Sequence, residues 1–258
     1  MIEPVFPISA HVRAPERLVL KGGRWKQVPI PVRYGLFEHP AAGTCLIDTG
    51  YTARVTEGFR SPPLSLYASI LRPALTENAL PSRAPDVSVI LVSHLHADHV
   101  SALKDYPSAR ILVDGPSLSH FLTAGWLGRT HKGCFAELLP ENLAERAEPF
   151  QTFPETEAPL GLGHAHDLFS DGSILAVPLP GHMRGHTGFL FPKRERPLLY
   201  AADADWLRRA ILERRSPGYP ARFVLDSTRE AEDTANRIRN FVHAGGELVL
   251  CHDPEPVA

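Results

Sequence analysis

Short runs of apolar residues recur along the chain and predict a series of buried strands. The run at residues 87–92 is continuous and rich in β-branched side chains, which is typical of a strand buried on both faces. Two strands are expected within residues 28–50, joined by a turn at 40–43. Further strands are predicted at residues 111–113, 174–179, 186–191, 198–202 and 247–251.

Helical spacing of apolar positions marks several segments between these strands. Residues 51–80 have such spacing, although prolines interrupt it, and a helix is expected to begin near His99. Residues 206–214 are also predicted to be helical. The clearest amphipathic helix covers residues 227–243 and ends at the C-cap signal Gly245-Gly246. Its apolar face consists of Ala231, Ala235, Ile238 and Val242.

Residues 115–170 mix glycines, prolines, aromatic residues and charges without sustained periodicity. Long irregular segments in compact domains tend to be lids or binding loops, and a helical excursion packed on the surface is an equal alternative. The chain shows no internal repeat, low-complexity tract or linker. We therefore expect one domain over residues 1–258, in which residues 115–160 form a substrate lid.

Composition and charge exclude several classes of protein. The 258 residues carry a net charge of −2, which indicates neither a nucleic-acid surface nor a polybasic membrane patch. No apolar stretch approaches the ~20 residues of a membrane span, and the first residues do not resemble a signal peptide. We expect a cytoplasmic monomer or homodimer without nucleic-acid or membrane partners. The separated cysteines Cys45, Cys134 and Cys251 form no disulfide framework, although Cys251 is a candidate to line a site.

Candidate metal ligands are most concentrated in the heptapeptide Ser-His-Leu-His-Ala-Asp-His at residues 93–99, directly after the predicted strand 87–92. Side chains two apart on an extended segment point to the same side, so His94 and His96 can hold one ion together. Asp98 and His99 lie where the chain turns into a helix and can reach a neighbouring point. A solvated histidine-rich loop is the weaker interpretation, because a buried strand leads straight into the cluster.

Further candidate ligands follow three other predicted strands. They are His182 and His186 in the loop at residues 180–188, then Asp203, and finally His252. Functional loops collect at strand ends, which favours one shared site. These donors exceed the four ligands of a single zinc ion, so two divalent ions are predicted. Imidazole and carboxylate suit zinc and also iron, manganese or cobalt.

The order of these motifs resembles the metallo-β-lactamase superfamily. The resemblance covers nearly the whole chain and includes the segment Leu-Ile-Asp-Thr-Gly at residues 46–50. It implies an α/β fold, a four-layer αββα sandwich of two mixed sheets flanked by helices. It also implies that one ion is held by His94, His96 and His186, that the other is held by Asp98, His99 and His252, and that Asp203 bridges them.

Within that superfamily the chain looks most like the N-acyl homoserine lactonase-like branch. Asp203 argues against true β-lactamases, and His96 stands where diiron flavoproteins carry a glutamate. Glyoxalase II-type thioesterases typically place their last histidine ahead of a helical C-terminal domain, and the position of His252, six residues from the end of the sequence, argues against that branch. The branch commonly has a tyrosine where this chain has Trp206, which argues against an acyl-homoserine substrate.

The resemblance implies hydrolysis of a lactone or similar carboxylic ester by a hydroxide that bridges the two ions. Asp98 would act as ligand and acid–base group. The alternatives are a thioesterase, a phosphodiester hydrolase or, less favoured, a metal-binding domain without turnover. Substrate contacts are expected from Trp206, Trp126 and Phe121.

Several polar residues near the motifs have secondary assignments. His186 is preferred over His182 as the ligand, which leaves His182 to orient a ligand. Asp48 is expected to be the buried partner of a ligand histidine or to stabilise a turn. His164 and His166 have ligand-like spacing but no preceding strand, and they are predicted to lie in a loop.

Overall fold

The computed structural model describes residues 1–217 and 221–255. The chain divides into two compact units. The 31–148 unit consists of residues 3–13 and 31–148. The 149–258 unit consists of residues 1–2 and 14–30 and of the described residues from 149 onward. The single domain expected over residues 1–258 stays a prediction.

Most strands and helices are short. In chain order the strands are β1 (Ile8–Pro15), β2 (Gln27–Arg33), β3 (Gly35–His39), β4 (Gly43–Ile47), β5 (Ala74–Leu75), β6 (Val89–Leu91), β7 (Arg110–Val113), β8 (Ala147–Pro149), β9 (Glu155–Ala158), β10 (Gly163–Asp167), β11 (Leu175–Pro178), β12 (Thr187–Phe191), β13 (Leu198–Tyr200) and β14 (Glu247–Val249). The α-helices are α1 (Glu16–Val19), α2 (Ala53–Thr56), α3 (Pro62–Leu71), α4 (Ala97–Val100), α5 (Gly115–Thr123), α6 (Trp126–His131), α7 (Leu143–Arg146), α8 (Arg208–Leu212) and α9 (Thr228–His243). No helix among the described residues is long and apolar enough to cross a membrane.

A five-stranded mixed sheet in the order β3-β4-β6-β7-β8 forms the centre of the 31–148 unit. Strands β3 and β4 form an antiparallel hairpin, whereas β4, β6 and β7 are parallel. Strand β6 is fully buried, as its apolar run predicts. The main-chain N–H of Asp48, just after β4, donates to the carbonyl of Leu91 at the end of β6, at 2.8 Å. The residues that follow these two strands therefore start from the same edge of the sheet.

The 149–258 unit contains a six-stranded sheet in the order β14-β13-β12-β11-β10-β9. Neighbours from β9 to β13 are antiparallel, and β14 joins β13 in parallel. Helix α9 packs on this sheet through Ala235, Ile238 and Phe241, which share one buried cluster with residues of β11 to β14. Burying a large apolar side chain stabilises the fold by about 1.5–3 kcal/mol. The predicted amphipathic helix is thus confirmed, and the hydroxyl of Ser227 caps its N-terminus.

Two segments consist of short elements. Residues 51–80, where prolines interrupt the helical spacing, form the short helices α2 and α3 and the strand β5. Residues 115–170 contain α5 to α7 and also the strands β8 to β10. His164 and His166 lie in β10, so their prediction as loop residues is wrong. Polar residues occupy most of this strand and hide it from a search for apolar runs.

Candidate metal centre

The 31–148 unit places four candidate ligands directly after β6. The chain runs on from β6 into His96, which occupies the N-cap position of α4. Nε2 of His94 and Nδ1 of His96 lie 2.9 Å apart, and the two ring centroids are separated by 4.5 Å. The two imidazoles therefore direct one nitrogen each to a common point, which suits a shared cation.

Asp48 orients both His94 and His99. Its carboxylate accepts hydrogen bonds from the main-chain N–H and the hydroxyl of Ser93, each at 2.7 Å, and from Nδ1 of His99 at 2.8 Å. Because the Ser93 proton goes to Asp48, the Ser93 oxygen accepts a hydrogen bond from Nδ1 of His94 at 3.0 Å. Both histidines thus carry their proton on Nδ1 and present the Nε2 lone pair, the form in which imidazole binds a metal.

Burial and backbone conformation hold this network in place. The side chains of Asp48 and His99 are fully buried. Asp48 has a φ of +58°, a left-handed conformation that aspartate and asparagine adopt more readily than most residues. Asp98 lies in the first turn of α4, with Oδ2 3.6 Å from Nε2 of His99. Sequence reasoning missed Ser93, although its position between the strand and His94 was an available signal.

His186 is oriented by a main-chain carbonyl in the 149–258 unit. Its Nδ1 donates to the carbonyl of Leu179 at 2.9 Å, so the lone pair again resides on Nε2. The main-chain N–H of Asp203 donates to this Nε2 at 3.1 Å. Ala202 has a φ of +44°, and the resulting turn brings the main chain of Asp203 to the ring.

The carboxylate of Asp203 faces two further histidines of the same unit. Its Oδ2 lies 3.1 Å from Nε2 of His252 and 3.6 Å from Nε2 of His182. Both histidines of the 180–188 loop therefore approach Asp203, His182 at the side chain and His186 at the main chain. The preference for His186 as the ligand stays a prediction. The buried sulfur of Cys251 and a ring nitrogen of His252 lie within 4.8 Å of each other.

A cleft in the 149–258 unit lies beside Asp203. Trp206 lines it together with His182, and the wall also includes Arg222 and Glu232, which form an ion pair at 3.2 Å. No sequence motif marks this ion pair, because it joins a short 3₁₀ turn to helix α9. Asp205 also lines the cleft, and burial raises the pKa of its carboxyl to about 7.

The other two aromatic candidates belong to the 31–148 unit. Phe121 is buried on α5, and the guanidinium of Arg129 lies 5.0 Å from the centre of its ring. Trp126, at the start of α6, is 60% exposed. Phe121 is thus a packing residue of its own unit, while the ring of Trp126 is accessible. Their contact with a substrate stays a prediction.

The donors of both units fit divalent metal ions chemically. Buried imidazoles with a defined tautomer and buried carboxylates are ligands that zinc and related first-row ions take. The 31–148 unit supplies the buried residues His94, Asp98 and His99 and the half-buried His96. The 149–258 unit supplies His186, Asp203 and His252.

Comparison with known families and proteins gives consistent matches. The family model described as "Metallo-beta-lactamase superfamily" matches residues 29–241. The N-acyl homoserine lactonase AttM of Azorhizobium caulinodans is 26% identical over 243 residues, which cover 90% of this chain and 86% of that protein. The probable metallo-hydrolase Rv2300c of Mycobacterium tuberculosis is 26% identical over 230 residues, covering 83% and 68% of the two chains.

Solved structures resemble the chain along its length. An N-acyl homoserine lactone hydrolase, solved with N-hexanoyl-L-homoserine at its catalytic metal centre, aligns with a TM-score of 0.70 and 17% identity. The alignment covers 97% of this chain and 93% of that one. AidC, a dizinc quorum-quenching lactonase, aligns with a TM-score of 0.62 and 14% identity, covering 99% and 89% of the two chains.

Proposed function

Since the chain belongs to the metallo-β-lactamase superfamily, we propose that it is a metal-dependent hydrolase that opens a lactone or a similar carboxylic ester. The predicted fold of that superfamily is confirmed, and so is the predicted similarity to the lactonase branch. The observation that carries the proposal is the network around Asp48. It orients His94 and His99, at the centre of the metal-binding motif, as ligands.

The two ions are assigned residue by residue from the family motif. His94, His96 and His186 would hold one ion, Asp98, His99 and His252 would hold the other, and Asp203 is assigned to both. The support is chemical: His94 and His99 have Nδ1 engaged by a protein acceptor and present Nε2 to a metal. His186 has Nδ1 engaged in the same way, and a metal at its Nε2 would replace the hydrogen bond from the main-chain N–H of Asp203. Zinc is the preferred metal, with iron, manganese or cobalt as alternatives of the same donor chemistry. When bound, two such ions supply a hydroxide near neutral pH and polarise the ester carbonyl.

Asp98 is assigned to proton transfer. It lies next to His99 in the first turn of α4, and the residue is buried but retains 7% exposure to solvent. A carboxylate at that position accepts a proton during attack on the carbonyl and returns it to the departing alkoxide. Ring opening of a lactone keeps this alkoxide attached to the acyl product. The leaving group therefore stays within reach of Asp98 until it is protonated.

Trp206 is assigned to substrate selection. Its side chain lines the cleft beside Asp203, where an indole offers one N–H donor and a large apolar surface. A tyrosine at this position would offer a hydroxyl that both donates and accepts a hydrogen bond. We therefore assign apolar or aromatic lactones to this chain in preference to acyl-homoserine lactones. The segment 115–160, which carries the accessible Trp126 and the buried Phe121, is proposed as a substrate lid.

A hydrolysis panel tests the proposed function. The metal-loaded protein is assayed for proton release with lactones, thioesters, phosphodiesters and β-lactams, beside the variant Asp98→Asn as a control for background hydrolysis. The proposal expects the highest kcat/KM on a lactone and its loss in Asp98→Asn. Thioester turnover above that of every lactone would assign the chain to the thioesterases. No turnover on any class by fully loaded protein would favour a metal-binding domain.

A further inference from the structure

A second cavity in the 149–258 unit is lined mainly by basic side chains. Residues after α1, residues after α8 and one face of α9 form its walls, and its empty space, including the solvent mouth, measures about 930 Å³. Its charged and amide lining residues are Lys21, Arg214, Arg222, Glu232, Asn236 and Arg239. Four cations against one carboxylate leave three positive charges in excess.

Arg239 is the buried cation of this lining, with 7% exposure. Its guanidinium donates to the main-chain carbonyl of Ile211 at 3.3 Å and to the side-chain oxygen of Asn236, and both acceptors are neutral. Within residues 1–217 and 221–255, no carboxylate forms an ion pair with it. Arginine has five N–H donors, so these two bonds leave donors for a further acceptor.

The electrostatic environment of Arg239 is unfavourable for a cation. Burial, and then the nearby charge of Arg214, lower the pKa of its guanidinium. A buried charge without a partner of opposite sign is costly to the fold. A bound anion would offset this cost, because it would pair with Arg239 and reduce the repulsion from Arg214.

Two hydrogen bonds to main-chain carbonyls connect the walls of the cavity. The N–H of Lys21 donates to the carbonyl of Arg215 at 3.1 Å, and Nε of Arg215 donates back to the carbonyl of Lys21 at 2.9 Å. The only lining carboxylate of the described chain, Glu232, is paired with Arg222 at 3.2 Å. The basic groups are therefore brought together by the fold, and no lining carboxylate is left over to neutralise them.

We propose that this cavity binds a phosphate or carboxylate group of a small molecule through Arg239, Arg214 and Lys21. The planar fork of a guanidinium matches the oxygens of either anion. The three excess positive charges favour a dianion such as a phosphate monoester over a single carboxylate.

The anion has two possible sources. The cavity shares Ser216, Pro217, Arg222 and Glu232 with the cleft beside Asp203. A group held in the cavity therefore lies next to that cleft, where it can belong to a substrate or to a separate small molecule. The binding site itself does not depend on the proposed hydrolase activity.

Calorimetry with inorganic phosphate tests the binding site on the metal-loaded full chain. Arg214→Gln and Lys21→Gln each remove one cation of the lining. Arg229→Gln is the matched control, because Arg229 is exposed on the same helix α9 and does not line the cavity. Loss of one charge-assisted hydrogen bond corresponds to about tenfold weaker binding. We expect that loss in both lining variants and unchanged binding in the control.

Arg239→Gln is measured last, because Arg239 also connects α9 to α8 through its hydrogen bond to the carbonyl of Ile211. The folding of this variant is checked by thermal unfolding. Phosphate that binds only at the metal ions would show the same affinity in every variant. That result, or the absence of phosphate binding to the parent protein, would overturn the proposal. The titration needs no turnover, so it remains decisive if the hydrolase proposal fails.

A kinetic comparison distinguishes the two sources of the anion. Matched lactones with and without a distal carboxylate are assayed with the parent protein and Arg214→Gln. A substrate-borne anion predicts that Arg214→Gln raises KM about tenfold for the charged lactone alone. If the anion belongs to a separate ligand, Arg214→Gln should change KM equally for both lactones. Added phosphate should then alter the rate on the neutral lactone in the parent protein but not in Arg214→Gln.

Discussion

Nδ1 of His99 lies 2.8 Å from Oδ2 of Asp48, and both side chains are fully buried. Ser93 extends this pair to His94, because its hydroxyl donates to the same carboxylate and accepts from Nδ1 of His94. One carboxylate thus orients two candidate ligands that the family motif assigns to different ions. Residues in such positions commonly affect metal affinity or activity by about 10–100-fold.

Asp48→Asn tests this relationship without a large change in shape. Asparagine tolerates the φ of +58° at this position but carries no negative charge to hold the proton on Nδ1 of His99. We expect metal affinity to fall about 10–100-fold and hydrolysis to fall with it. Metal titration by a competing chelator measures the change. A variant that binds metal as tightly as the parent would show that Asp48 only stabilises the turn.

Ser93→Ala separates the two branches of the network. It removes the link between His94 and Asp48 but leaves the direct contact between Asp48 and His99. We therefore expect a smaller loss of metal affinity than in Asp48→Asn, measured by the same titration. A larger loss in Ser93→Ala than in Asp48→Asn would contradict the central role of the carboxylate.

The two histidines of the 180–188 loop predict different phenotypes. His186→Ala removes a proposed ligand and should lose metal and activity together. His182→Ala should keep most of its metal and lose about 10–100-fold in affinity or rate. Elemental analysis and initial rates on the two purified variants provide the comparison. Loss of metal in His182→Ala with retention in His186→Ala would reverse the assignment.

Gly181 fixes the start of the same loop against helix α9. It has a φ of +127°, and a Cβ atom there would lie 2.2 Å from the main-chain nitrogen of Ala231. Gly181→Ala should therefore move the loop and lower the free energy of unfolding by more than the 1–3 kcal/mol roughly expected for backbone strain. Gly161→Ala is the matched control, since Gly161 also has a positive φ, +78°, but open space around it. Equal destabilisation of the two variants in urea would show that the contact with α9 is unimportant.

Trp206→Tyr tests substrate selection. The tyrosine supplies a hydroxyl that can hydrogen-bond to the substrate, which should raise kcat/KM for acyl-homoserine lactones by about tenfold. Rates on aromatic lactones should fall or stay constant, because the apolar surface becomes smaller. Trp25→Tyr is the control, since Trp25 is 71% exposed and does not line the cleft. A proportional change on every lactone would show that residue 206 does not discriminate between them.

Sequence patterns predict best the elements whose side chains are buried throughout or along one regularly repeating face. Every side chain of β6 is buried, and the apolar face of α9 repeats with the helical period, so sequence patterns predict both elements. Sequence patterns do not predict strand β10, because two histidines and an aspartate occupy three of its five positions. In residues 51–80 the expected interruption by proline occurs at Pro62 and Pro63, which start helix α3 with Ser61 as its N-cap.

The candidate site shows the same limit. The spacing of His94, His96, Asp98 and His99 predicts a cluster of candidate ligands because these residues are close in sequence. The acceptors that orient the rings are harder to predict, since the carbonyl of Leu179 belongs to the main chain and the hydroxyl of Ser93 is marked only by its position before His94. The basic cavity around Arg239 was not predicted at all, because its cations come from three separate segments of the chain.

Metal content tests the central claim, that this chain is a dinuclear metallohydrolase. Protein purified with saturating zinc and then freed of loosely bound metal is analysed for first-row ions per chain, beside His96→Ala and Asp203→Ala. The seven proposed ligands exceed the needs of one four-coordinate ion, so the parent should hold close to two ions. Asp203→Ala should hold fewer and show no hydrolysis. A parent protein that is active and saturated with one ion per chain would contradict the account.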